Sequence, residues 1–224
     1  MIKVAVDVET SGFKPWYQDV ITAGLVIYDD SNPVFTPLAT FYDKVRPWTP
    51  SSWDEGSTEA HKFTLQDTLQ WQDPRSICVK ILHFLKDFRV PGQYLPFVYH
   101  GQGNFDFLHM QALFLKGELQ FSFYKVFSER HTHSTLLEAR SQGYTGNKLS
   151  LWANRLNRQF VHHNALDDAL MCGALDIYLK HQGGQNALES ISQQTPELQQ
   201  GGILQIAGLS ASPGRSHQRR KIQR

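Results

Sequence analysis

The sequence predicts an α/β domain in which a mixed β-sheet is flanked by α-helices and followed by a flexible C-terminal tail. The first 45 residues hold three segments rich in β-branched residues and separated by turn residues, a pattern typical of an antiparallel meander. From residue 73 onward, apolar residues recur at helical spacing, with short apolar segments between the helices. From residue 183 onward, Gln, Gly and Ser dominate and no aromatic residue occurs. We therefore predict a folded domain over residues 1–182 and a disordered tail over residues 183–224.

The predicted strands are bounded by turn residues. Thr10-Ser11-Gly12 ends the first strand, and residues 29–33 form the turn after the second. Pro37 makes the third strand irregular, because proline removes a donor from the ladder. The strands are expected over residues 2–8, 20–28, 34–45, 95–99 and 121–127.

The predicted helices begin at polar caps and end near glycine. Asp73 and Pro74 suit the N-cap and the first position of a helix whose apolar residues follow at helical spacing. Asn104 is a plausible N-cap for a helix that runs to Lys116 and ends at Gly117. Further helices are expected over residues 58–61, 134–142, 149–156 and 164–181.

Composition argues for a cytoplasmic protein. The chain has 224 residues, of which 41% are hydrophobic, enough for one packed core. No apolar run approaches the ~20 residues that span a bilayer, and the N-terminus lacks a secretory pattern, so no membrane association is expected. Cys78 and Cys172 form neither a disulfide framework nor a zinc pattern, and we expect buried thiols in a reducing compartment.

Charge is unevenly distributed along the chain. The net charge is +1, but residues 183–224 carry five Lys or Arg against two Glu, a net charge of +3, which leaves the body at −2. A near-neutral body does not by itself indicate a nucleic-acid binder. The tail is expected to add weak, salt-sensitive binding to nucleic acid.

The first strand carries two acids on one face. Asp7 and Glu9 lie opposite an apolar face of Ile2, Val4 and Val6, because side chains alternate along a strand. A like-charged buried pair is costly, and Mg²⁺ or Mn²⁺ between the carboxylates would remove that cost. The same pattern also arises at the solvated end of a strand, so this segment alone leaves both interpretations open.

Two later segments also combine acids with histidine. In one, His100 ends a strand, a glycine-rich loop follows, and Asp106 lies in the first turn of a helix. In the other, His162 and His163 precede a helix whose first turn carries two acids. Acids favour the N-terminal turn of any helix, so each segment taken singly also has a purely structural explanation.

Together, the three segments resemble a known family. The order D-x-E-T-x-G, N-F-D and H-N-A-L-D-D is similar to that of the DEDDh (DnaQ-like) 3′–5′ exonucleases of the ribonuclease H-like superfamily. The resemblance implies that Asp7, Glu9, Asp106 and Asp168 bind two Mg²⁺ ions, with Mn²⁺ able to substitute, and that His163 is the general base. It further implies that Asp7 bridges the metals, while Asp106 lies mainly on the leaving-group side.

The register of the last motif rests on its spacing. His163 precedes Asp168 by five residues and Ala165 by two, as the family pattern H-x-A-x-x-D requires. His162 and Asp167 are the nearest competitors for these roles.

The middle motif indicates a subgroup of the family. One extra residue and two glycines separate His100 from Asp106, a spacing that resembles the three-prime repair exonucleases of animals, although their proline-rich insert is absent. On this spacing we expect single-stranded DNA or frayed 3′ ends as substrate, with release of nucleoside monophosphates. The alternatives are an RNA-trimming enzyme of the same chemistry, and a module that docks on a polymerase, nuclease or repair partner.

Substrate contacts are predicted beside the acids. The resemblance places Phe13 against the terminal base, where aromatic stacking suits single strands of any sequence; an ordinary core position is the alternative. Thr10 and Asn104 are predicted to contact the substrate as well. The other histidines have no carboxylate pattern around them and are expected at the surface or in the core: His61, His109, His131, His133 and His181.

Overall fold

The structure, a computed structural model, describes residues 1–146, 148–156, 161–181 and 202–205. Its described strands are β1 Ile2–Thr10, β2 Val20–Asp29, β3 Pro37–Lys44, β4 Phe97–Tyr99, β5 Thr132–Ser134 and β6 Gly202–Gln205. They form one sheet with the strand order β5-β4-β1-β2-β3-β6. The first three strands form the predicted antiparallel meander, whereas β4 runs parallel to β1 and β5 parallel to β4. The predicted mixed sheet is therefore confirmed.

Most helices begin where the sequence predicts. Asp73 caps α3, since its side chain accepts a hydrogen bond from the backbone N–H of Ser76, and Pro74 is the first helical residue. The described helices are α1 Glu55–His61, α2 Leu65–Thr68, α3 Pro74–Leu85, α4 Phe105–Lys116, α5 Gln120–Val126, α6 Thr135–Ser141, α7 Leu149–Arg155 and α8 Ala165–Lys180, with 3₁₀ turns at Pro50–Ser52, Lys86–Phe88 and Glu129–His131.

The two faces of β1 pack against different sets of helices. Val4, Val6 and Val8 belong to the larger core, which α3, α4 and α5 cover. Ala5 on the opposite face packs in a second core with residues of α8. Because side chains alternate, Asp7 lies on the same face as Ala5, which is the face that α8 covers.

The segment over residues 121–127 is a helix, and the prediction of a strand there was wrong. Phe123, Val126 and Phe127 are buried at helical spacing, whereas Phe121 and Tyr124 are exposed. The aromatic content favours a strand, but the period of burial is that of a helix. The fifth strand is instead β5, a three-residue element that the sequence analysis did not predict.

The tail, predicted to have little fixed structure, contains one short strand among its described residues. Strand β6 pairs antiparallel with β3 and forms one edge of the sheet, with Phe41 opposite Ile203. The predicted disorder of residues 183–201 and 206–224 lies outside the described residues. Among the described residues, none of the helices combines the length and apolarity that crossing a lipid bilayer requires.

Deletion of residues 183–224 tests how much the domain depends on β6. We expect the truncated protein to fold, because both cores that cover β1 are built from residues before 182. Its melting temperature should fall by several degrees, since the ladder on β3 is lost and each hydrogen bond contributes about 1 kcal/mol. Circular dichroism melts of the two proteins measure the difference. A truncated protein without a cooperative transition would show that β6 is essential to the domain.

Candidate active site

Asp7 and Glu9 lie at the end of β1, on the face that α8 covers. In the register of the sheet, Asp7 is opposite Gly24 and Glu9 is opposite Thr22. The pairing shifts directly after Glu9, where the strand leaves the ladder. Glu9 is 9% exposed, so its carboxylate is largely removed from bulk water. The predicted pair of acids is thus held on a rigid central strand.

Gly24 allows the last motif to reach the first. A Cβ atom on Gly24 would lie 2.1 Å from the backbone oxygen of Ala165, so any side chain there would collide with the start of α8. Glycine inside a strand often marks such a close approach of another backbone. The N-terminus of α8 therefore lies directly over β2, opposite Asp7, and brings Asp168 to the acids of β1.

The far half of α8 is anchored to the same two strands. Asp176 accepts hydrogen bonds from Lys3 Nζ at 2.8 Å and from the Tyr28 hydroxyl at 2.9 Å. At the near end, the Asn164 side chain caps the helix by accepting from the backbone N–H groups of Leu166 and Asp167. Both ends of α8 are fixed, and the position of Asp168 is fixed with them.

Asp106 reaches the site from the other layer of helices. Strand β4 pairs with β1 only at Val4 and Ala5, so the N–H of Val8 has no strand partner on that side. The Asp106 Oδ1 atom accepts from this N–H at 3.3 Å. The acid in the first turn of α4 thus continues the hydrogen bonding of β1 where β4 ends.

The acids form a set that fits a divalent cation. Ligand atoms of Asp7, Glu9 and Asp168 lie within 4.8 Å of one another, and Asp106 is hydrogen-bonded to the residue between Asp7 and Glu9. All of these donors are carboxylate oxygens, which Mg²⁺ and Mn²⁺ prefer. The four acids that the sequence motifs single out therefore converge at one end of β1.

Mutual repulsion and burial raise the pKa values of the acids. Burial, and then the charges of Asp168, Asp106 and Glu9, raise the pKa of Asp7 well above its usual value. Burial and the nearby Asp168 raise the pKa of Glu9 to about 7. Burial likewise raises the pKa of Asp106 to about 7, opposed by the hydrogen bond from Val8. A bound cation would offset this cost, which supports the fit of a metal to these residues.

Substitution of Glu9 by Gln tests this cost in metal-free protein. The unfolded pKa of Glu9 is near 4.5 and the folded value is about 7, so the folded state binds the extra proton between these pH values. Its ionisation therefore removes stability as the pH rises through this window. We expect Glu9→Gln to be neutral at pH 4.5 and to stabilise the protein by about 3 kcal/mol at pH 8, at about 1.4 kcal/mol per pKa unit. Denaturant unfolding in chelator measures both values; an equal effect at the two pH values would contradict the prediction.

The two histidines differ in their relation to Asp168. His162 Nδ1 lies 3.2 Å from Asp168 Oδ1, whereas His163 donates its backbone N–H to Asp168 Oδ2 at 3.0 Å. The two rings stack with centroids 3.9 Å apart. The hydrogen bond to Asp168 raises the pKa of His162, and burial followed by the charge of His162 lowers the pKa of His163. The contact of the His162 ring with Asp168 was not predicted, because the spacing in the sequence does not reveal which ring turns inward.

The three residues predicted to contact the substrate differ in their exposure and in their contacts. Thr10 is buried, and its hydroxyl donates to the carbonyl of Gly12 at 2.7 Å. Phe13 is 80% exposed and lies 6.3 Å, centroid to centroid, from the ring of Phe105. The alternative of a core position for Phe13 is therefore wrong.

Asn104 precedes α4 but does not cap it as predicted. Its backbone is left-handed, and the structure shows no capping bond from its side chain. The side-chain oxygen accepts from the Tyr99 hydroxyl instead, and the amide nitrogen donates to Glu129 at 3.1 Å.

Comparison with solved structures shows which known folds the chain resembles. The chain matches E. coli Exonuclease I in complex with a dT13 oligonucleotide with a TM-score of 0.60 and 15% identity, over 80% of this chain and 41% of that one. The zinc ion bound form of the E. coli ExoI–ssDNA complex gives a TM-score of 0.60 and 16% identity, over 81% and 40%. The chain thus spans about two fifths of the length of Exonuclease I.

A third structure is covered almost completely. The nuclease domain of 3′hExo, a DEDDh family member bound to rAMP, matches with a TM-score of 0.57 and 13% identity, over 82% of this chain and 94% of that one. No protein-family model matches the chain, and no curated protein matches its sequence. By these structural matches, the chain shares its fold with E. coli Exonuclease I and with the nuclease domain of 3′hExo.

Proposed function

We propose that this protein is a metal-dependent 3′–5′ exonuclease that releases nucleoside monophosphates. One observation carries the proposal: Asp7, Glu9 and Asp168 converge from β1 and α8, and Asp106 joins them from α4. Buried acids with raised pKa values and a histidine beside them are typical of a catalytic centre rather than of a solvated surface.

The four acids would hold two Mg²⁺ or Mn²⁺ ions. When bound, such ions supply an activated water and stabilise the leaving 3′ oxygen. The contribution of the chain itself is to hold four oxygen donors on rigid elements and to place a proton acceptor beside them. His163 suits that task, because its lowered pKa keeps the ring neutral near pH 7.

Single-stranded DNA is the substrate that we favour. The spacing of the middle motif supports it, as does the similarity to Exonuclease I, which was solved with dT13. The exposed ring of Phe13 offers a stacking surface for an unpaired base. RNA is the second candidate, because the 3′hExo domain was solved with rAMP and is covered over 94% of its length.

A degradation assay tests the function and separates the two candidates. DNA and RNA oligonucleotides of the same sequence, labelled at the 5′ end, are incubated with magnesium, manganese or chelator. We expect a ladder that shortens from the 3′ end with either metal, and faster loss of DNA than of RNA. A 3′-labelled copy should release labelled mononucleotide first. Cleavage inside the strand, or no cleavage with either metal, would contradict the proposal.

We further propose a cytoplasmic location, supported by the two buried and unpaired thiols of Cys78 and Cys172. Docking on a polymerase or repair partner stays a prediction, which pull-down from a native extract tests. The binding of nucleic acid by the basic tail is likewise a prediction, and the truncated protein described above should bind oligonucleotides more weakly at low salt.

A further inference from the structure

Lys62 has an unusual backbone conformation at the end of α1. It ends α1 with φ of 66° and ψ of 8°, in the left-handed region. Glycine adopts this conformation freely, whereas a residue with a Cβ atom is strained there. The chain therefore keeps a long basic side chain at a position that favours glycine. Strain of this kind is often kept where a side chain has a function.

The segment that carries Lys62 is docked on the loop that follows Glu9. The backbone N–H of Asp54 donates to the carbonyl of Ser11 at 2.9 Å, and Gln18 Nε2 donates to the carbonyl of Ser52 at 3.3 Å. Helix α1 begins directly after Asp54. The start of the segment is therefore fixed to the end of β1, where the acids lie.

His61 fixes the end of α1 beside the last motif. Its ring is buried, with Nδ1 accepting from the backbone N–H of Phe63 and Nε2 lying 3.2 Å from Ser57 Oγ. Burial and the nearby His163 lower the pKa of His61 to about 4, and Lys62 contributes to the lowered pKa of His163. Lys62 and His163 thus lie within electrostatic range of each other.

Two lysines in this region differ in what their ammonium groups contact. The ammonium of Lys44 lies 4.9 Å from the ring centroid of Phe63 and 5.1 Å from that of Trp71. Lys62 is exposed, and its ammonium donates to the carbonyl of Glu59 on the last turn of α1. That bond is easily exchanged for another acceptor, because a carbonyl at a helix end can also bond to water.

We propose that Lys62 binds a phosphate of the nucleic-acid strand at the entrance to the acidic site, a role that rests on the proposed exonuclease function. The site itself is strongly acidic, so a substrate backbone needs a cation at its edge. A lysine ammonium is a compact charge that binds phosphate without demanding a fixed orientation. The simpler alternative is that Lys62 only caps α1 through the carbonyl of Glu59.

Substitution of Lys62 by Gly separates the two roles, because it relieves the strain and removes the ammonium. We expect the melting temperature to stay the same or to rise by up to about 4 °C. The KM for single-stranded oligonucleotide should rise about tenfold, with kcat little changed. The dependence of log K on log salt should become shallower by about 0.7, the value for one phosphate contact on a single strand. Lys62→Arg should restore the wild-type KM and salt dependence.

Glu118 provides a matched control. It is also an exposed residue with a positive φ, 58°, and its carboxylate lies 3.5 Å from the guanidinium of Arg75. Glu118→Gly should change the melting temperature in the same way but leave KM and salt dependence unchanged. If Lys62→Gly lowers the melting temperature and leaves KM unchanged, Lys62 is a helix cap and the inference is wrong.

Binding is measured separately so that the inference does not depend on turnover. Fluorescence anisotropy with a short phosphorothioate oligodeoxythymidine gives Kd for the wild type and both glycine variants. The proposed function fails if the wild type cleaves no nucleic acid, whereas the role of Lys62 fails if Lys62→Gly and Glu118→Gly bind the oligonucleotide equally.

Discussion

Replacement of Asp7 by Asn should abolish turnover, lowering kcat by roughly 10³-fold or more. Asp7 is the acid on which the others converge, since Asp168, Asp106 and Glu9 all raise its pKa after burial itself. A cation bound at Asp7 would offset the repulsion among the four acids. Loss of that cation should remove about 4 kcal/mol of transition-state stabilisation, at about 1.4 kcal/mol for each tenfold change in rate. Single-turnover cleavage with saturating magnesium measures the effect.

The same variant has a second expected signature. Metal-free Asp7→Asn should be more stable than the wild type at pH 8, and magnesium should raise its melting temperature less. Asp73→Asn is the control, because asparagine caps α3 as well as aspartate does and the residue is outside the site. Full activity of the wild type in excess chelator would show that the acids do not hold a catalytic metal.

Replacement of His163 by Ala should lower turnover by about 10²–10⁴-fold, the usual contribution of a general base. Metal binding and substrate binding should change little, because the backbone N–H of His163, which holds Asp168, is kept. The wild-type rate should fall as the pH drops through the pKa of the ring, which burial lowers from its usual value. We therefore expect the wild-type rate to fall below neutral pH. This dependence on pH should be absent in His163→Ala.

His162→Ala is the matched comparison. Its ring contacts Asp168, so its loss should disturb the position of one ligand and cost about tenfold. Rates for both variants from pH 5.5 to 8.5 decide the assignment. If His162→Ala is the severely impaired enzyme and His163→Ala is nearly normal, the register of the last motif is wrong.

The sequence predicts the positions of the acids better than it predicts the sheet. Asp7 and Glu9 can be assigned to one face of a strand, because alternation along β1 depends only on local geometry. Asp168 can be assigned to a first helical turn for the same reason, since capping by Asn164 is local. The order of the three motifs then predicts that these local units come together, as the positions of the four acids in the structure show.

The sequence predictions are wrong where contacts between distant parts of the chain determine the local structure. Strands β5 and β6 are three and four residues long, and each exists because an edge of the sheet accepts it. The segment of α5 has strand-like composition, but the core selects a helix through Phe123 and Phe127. The inward turn of the His162 ring depends in the same way on the position of Asp168, which the local sequence does not contain.

Gly24 changes how an intact centre should be recognised in other chains. A sequence that retains all four acids and both histidines, but has any other amino acid at the position of Gly24, would hold α8 away from β1. An alignment would still show an aspartate at the position of Asp168, but its carboxylate would not reach the acids of β1. Gly24, fifteen positions after Glu9, therefore belongs to the signature of the site as much as any carboxylate does.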